Sequence, residues 1–160
     1  MVTTRDDVLA AIDSFVAEVD RITDGVPESH WEHGAYENGW NARQLLCHIA
    51  STAGIASFVL TLARAPVAAG ASGGAAFDND AFNAQQVQAR QNKPINNVLN
   101  EIRETMHRDR QVVAAAPDQL LASMFRAPWG TEGTVAGVIA DSVNAHLGEH
   151  VRDLRAALLR

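Results

Sequence analysis

Apolar residues return every three or four positions through most of this chain, and that period leaves room for little besides helices packed on helices. Val8, Ile12, Phe15, Val16, Val19 and Ile22 form the first such run. Thr3 or Thr4 can cap it, Asp6 and Asp7 suit its positive first turn, and Gly25 and Pro27 end it. A second run begins after Trp40, with Asn41 as cap and Gln44 reaching back in a variant of the capping box. Leu45, Leu46, Ile49, Ile55, Phe58, Val59 and Leu62 supply its buried stripe, and Pro66 closes it. A third helical region covers residues 78–115, with Pro94 kinking or restarting it and Val98, Ile102, Thr105, Met106, Val112 and Val113 along its second half. The last helix begins near Thr134 and continues to Leu159, with Val135, Val138, Ile139, Val143, Leu147, Leu154 and Leu158 as core positions.

The connections differ in character. Residues 28–40 carry two glycines and two of the three tryptophans and read as an irregular segment packed across one end of a bundle. Residues 65–76, rich in Ala and Gly, read as a long crossover. Pro117 opens a short turn or helix with Leu120 and Leu121, and residues 127–133 are expected to be irregular. Four long amphipathic helices with one long crossover predict an all-α four-helix bundle, and 160 residues suffice for one domain, 1–160, around a single core.

Charge and hydropathy narrow the function classes. The formal net charge of −6 and the scattered arginines disfavour nucleic-acid binding. No apolar run is read as approaching the roughly 20 residues of a membrane span, because Ser57, Thr61 and Arg64 interrupt the best candidate. Residues 1–7 lack a signal-peptide pattern, and the lone Cys47 has no internal disulfide partner, so the expected location is cytoplasmic.

Chemistry concentrates in the histidines. In His146-Leu-Gly-Glu-His150 two imidazoles four residues apart share a helix face, with Cβ atoms about 6 Å apart, and can converge on one cation. A pair of this kind is common by chance. His48 sits beside the apolar stripe of the second helix, where a buried imidazole needs partners for both nitrogens, from a hydroxyl, a carbonyl or a metal. Three histidines facing the bundle interior from the second and last helices are accounted for together by a shared divalent-metal site, and three protein ligands leave a position open for chemistry. His107 reads as surface, and His30 and His33 as solvated loop residues beside Trp31. Cys47 points about 100° away from His48 and reads as a small buried thiol. Gly148, between the two helical histidines, weakens the helix or admits a neighbouring one. Asn83, Gln86 and Arg90 fall along one side of a helix and are candidates for lining a pocket, or form a solvated face.

These residues resemble the DinB-like superfamily of metal-binding helical bundles, which includes the YfiT-like group, ascribed hydrolase activity, and the N-terminal domains of mycothiol-dependent maleylpyruvate isomerases. The resemblance rests on Gly39-Trp-Asn-Ala-Arg-Gln-Leu-Leu-Cys-His48 and on Val143-Asn-Ala-His146-Leu-Gly-Glu-His150, with weaker likeness at Phe82-Asn83 and in residues 94–99. It implies an up-down-down-up bundle with a long crossover between helices 2 and 3. It also implies zinc or nickel held by His48, His146 and His150, and a homodimer. Two uses of such a site follow: a low-molecular-weight thiol as nucleophile, as in a transferase or isomerase, or water attack, as in a hydrolase. A non-catalytic metal- or small-molecule-binding dimer is the competing class.

Overall fold

The computed structural model describes residues 3–34, 39–65 and 79–159. Helix α1 spans Arg5–Thr23 and is closed at its start by a full capping box. The Thr4 hydroxyl accepts from Asp7 N–H at 3.2 Å, and Asp7 accepts from Thr4 N–H at 2.7 Å. A 3₁₀ turn, Glu28–Glu32, then gives regular structure to part of the connection expected to be irregular, and it buries Trp31 across the end of the bundle. Helix α2, Ala42–Thr52, starts on the second capping box, Asn41 with Gln44.

The second helix was expected to run unbroken, and it does not. It ends at Thr52 and restarts as α3, Ile55–Arg64. Two effects favour the break. The Ser51 and Thr52 hydroxyls donate back to His48 O at 2.7 and 3.1 Å, drawing on carbonyls at the end of α2. Asp109, from a helix 52 residues further along the chain, receives the N–H groups of Ala56 and Ser57 at 2.8 and 3.1 Å and also the Ser57 hydroxyl. A carboxylate there satisfies the orphan donors and meets the positive end of the restarted helix. Burial pushes the Asp109 carboxyl above its usual pKa, although all three hydrogen bonds act against that shift. The restart leaves Phe58, expected in the core, 49% exposed and stacked on Trp129 at 6.2 Å.

Taken together, residues Ala42–Arg64 are long and apolar enough to meet a membrane-span criterion, contrary to the expectation from sequence. The break and their packing against the other helices mark them instead as the core helices of the bundle.

Helix α4 spans Asn79–Gln88 and α5 spans Ile95–Ala115, with Pro94 at the restart. Helix α6, Asp118–Ala122, follows Pro117. Residues 127–133, expected to be irregular, are part of an antiparallel hairpin. Strands β1, Met124–Arg126, and β2, Glu132–Thr134, pair with Phe125 opposite Gly133. Thr134 then caps α7, Val135–Asp141, accepting from Gly137 N–H at 3.0 Å. The last helix continues through a π-helical segment, Ser142–Leu147, into α8, Gly148–Leu158.

The packing partners define a four-helix bundle around one core cluster. α1 lies against α5, and the pairs Asp13–Arg110 and Asp20–Arg103 show that the two run in opposite directions. α2 packs on α8 and α3 on α7, so those two layers are also antiparallel. The crossover expected at residues 65–76 lies, beyond Ala65, outside the described residues.

Candidate metal centre

The structure brings His48, His146 and His150 into one group. One ligand nitrogen from each lies within 4.8 Å of the others. His48 Nε2 and His150 Nε2 stand 3.2 Å apart, and the ring plane of His150 is nearly perpendicular to those of His48 and His146. Two nitrogens each bound 2.0–2.1 Å from a tetrahedral ion stand about 3.3 Å apart, so this pair is already at the spacing a divalent ion requires.

Burial supplies the protonation state. His48 and His150 are 4% and 6% exposed. Loss of hydration pushes both imidazoles down to about 4, with His146 adding charge repulsion to each. Both are therefore neutral at physiological pH, the form in which an imidazole ligates a metal. His48 Nδ1 is buried without a hydrogen-bond partner among the described residues. An uncompensated polar nitrogen in the core is costly, and ligation through Nε2 is one reason to keep an imidazole at such a position. Trp40 forms a wall against His48, with ring centroids 5.2 Å apart.

Not every expectation for the site holds. His146 was expected to face the interior with the other two, but it is exposed. The group therefore has two buried members and one at its rim. Gly148 was a candidate for close approach by a neighbouring helix. A Cβ added there meets Arg152 Nη1 at 3.6 Å and Val143 O at 3.8 Å, which is ordinary contact. The close approach instead occurs at Gly34, where a Cβ would stand 2.6 Å from that of Ala157.

His30, His33, His107, Cys47 and Glu149 are not members of the group. His107 is exposed and bonds Gln111. His30 Nδ1 lies 3.1 Å from Leu158 O, and the ring stacks on His33. Cys47 is fully buried, and burial raises its thiol to about 11. Glu149 is exposed. Arg90 donates to Gln86 and to Glu101, which also receives Lys93, so this arginine fastens the corner between α4 and α5. Asn83 is half-buried on α4.

Two structural residues escaped sequence reading. Asp109 lies among charged residues of the third helical region, and only its partners on α3 reveal its role. Arg43 binds Glu32 at 2.8 Å, Glu28 and the Lys93 carbonyl, joining the 3₁₀ turn, α2 and the approach to α5.

Residues 12–155 match the family model described as the mycothiol maleylpyruvate isomerase N-terminal domain. Among solved structures, the chain is similar to YfiT from Bacillus subtilis, described as a probable metal-dependent hydrolase with an unusual four-helix bundle topology. The TM-score is 0.69 at 15% identity, over 96% of this chain and 85% of that one. It is also similar to an uncharacterized protein from Clostridium difficile 630, with a TM-score of 0.67 at 11% identity over 98% and 96% of the two chains. No functionally curated protein matches it.

Proposed function

The chain belongs to the mycothiol maleylpyruvate isomerase N-terminal domain family, and from that premise we propose a metal-dependent enzyme that uses a low-molecular-weight thiol as a transferase or isomerase. The observation that carries this reading is the convergence of three imidazole nitrogens within 4.8 Å, two of them held neutral by burial. In the proposal His48, His146 and His150 hold zinc or nickel. Such an ion would supply Lewis acidity, lowering the pKa of a thiol or a water towards neutrality.

The chain's own residues set the terms of that chemistry. His48 and His150, fixed in the core, orient the group, and exposed His146 leaves one side reachable. Trp40 covers the His48 side, so a substrate approaches past His146. The group is built of imidazoles alone, with no carboxylate among its members to serve as general base. A thiol depends less on such a base than water does, because its unperturbed pKa is about 8.5. Cys47 cannot be that thiol, since it is sealed in the core and its pKa is raised to about 11. An external thiol fills the role. The YfiT likeness favours a second reading, hydrolysis by water at the same centre.

Metal analysis and thermal shift separate these readings. The purified chain is expected to carry about one equivalent of metal, and His146→Ala much less. Below about 0.1 equivalent in the intact chain after reconstitution, both readings fail. With metal present, mycothiol is expected to raise the melting temperature more than bacillithiol or glutathione. No shift with any of the three removes the thiol reading and leaves hydrolysis.

A further inference from the structure

The last helix changes its winding at the candidate site. Upstream it buries Val135, Ala136, Val138, Ile139, Ala140, Ser142 and Val143. Downstream it buries Leu147, His150, Val151, Leu154 and Leu158. At 100° per residue, the downstream set lies about 80° around a straight α-helix from the upstream set, close to the rotation of a single residue. Such a helix, seated by Val135 and Ile139, would carry His146 and His150 in the centre of the core-facing stripe. Leu147, Val151, Leu154 and Leu158 would be turned to one side. The π-helical segment absorbs the difference. Gly148 N–H reaches Val143 O, five residues back, and the Ser142 hydroxyl donates to Val138 O at 2.8 Å where the wider winding starts.

We infer that the π-helical segment Ser142–Leu147 is the positioning element of the site. It rotates His146 and His150 from the core stripe to its flank, where α2 presents His48, and it gives the core to Leu147, Val151, Leu154 and Leu158. The same rotation leaves His146 exposed and so keeps the group open on one side. What is positioned rests on the metal reading above; the rotation itself does not.

Two measurements test this. In the metal-free intact chain, hydrogen–deuterium exchange at the imidazole carbons, read by mass spectrometry, is expected to label His146 at least about tenfold faster than His150. Similar rates would overturn the inference, since a straight helix places both on one stripe. Deleting Asn144, which is exposed within the segment, removes the one residue that the wider winding absorbs, so plain α winding then leaves His146 and His150 on their present faces. The variant is expected to preserve helical circular dichroism and to retain cobalt(II) uptake, read from its visible absorption, within about twofold. A loss of at least about tenfold in a folded variant would overturn the inference, because in an ordinary α-helix the deletion turns both histidines by about 100°. If the deletion variant does not fold, the histidine exchange pattern decides. If the intact chain takes up no cobalt, the metal reading fails while the exchange experiment still judges the segment.

Discussion

The seam between α1 and α5 and the seam between α2 and α8 are both helix pairs packed in one bundle, and they serve opposite ends. Along the first, Val8, Ile12 and Val19 face a helix that buries Val98, Ile102 and Met106, and the ion pairs Asp13–Arg110 and Asp20–Arg103 stay at the exposed edge. Along the second, two imidazoles occupy positions that would otherwise be apolar, and one of their nitrogens is unpartnered among the described residues. One seam holds the bundle together, and the other gives up stability to hold a reactive group. The contrast is physical: apolar burial contributes steadily, whereas a buried imidazole costs free energy that ligation through its other nitrogen would offset.

Substitutions can break that comparison at either seam. The largest effect is expected from Ile102→Ala, which opens a cavity in the α1–α5 seam and costs about 2–5 kcal/mol in urea unfolding. Metal stoichiometry of the folded fraction should be unchanged. Zinc at 100 times its dissociation constant should add about 2.7 kcal/mol to the intact chain and much less to His146→Ala, measured by the same unfolding. Asp109→Ala leaves the Ala56 and Ser57 donors unmet and should cost about 1–3 kcal/mol, with Asp109→Asn retaining part of the cap.

Acid should sharpen the contrast. His48 and His150 titrate near 4 in the folded chain against 6.5 when exposed, so the unfolded chain takes up protons first as the pH falls. Their contribution to metal-free stability is complete above pH 6.5, declines towards pH 4 and then levels. His48→Leu should flatten that decline in a series of unfolding curves. The smallest effect is expected at the exposed rim, where Asp20→Asn should cost roughly 0.2–1 kcal/mol and less in high salt.

Much of the fold is legible in the chain because helices announce themselves locally. The stripes of α1 and α5 and the capping boxes at Thr4 and Asn41 depend on residues within a turn or two of one another. The three-residue strands of the hairpin are too short for an alternating pattern to register, so residues 127–133 showed only their turn residues. The winding change left a trace that could have been found: Ile139, Val143, Leu147 and Val151 are spaced by four three times running, too slow for a straight α-helix to keep on one face.

The sequence by itself determined that the chain is helical, which faces are apolar, and that three histidines fall on two of the helices. Tertiary structure decided how the second helix restarts at Ile55, because the carboxylate that caps the restart arrives from α5. It also decided that His146 stands at the rim while His48 and His150 are buried. A local pattern fixes how residues are spaced around one helix, but the rotation of that helix against its neighbours is set by the whole core at once.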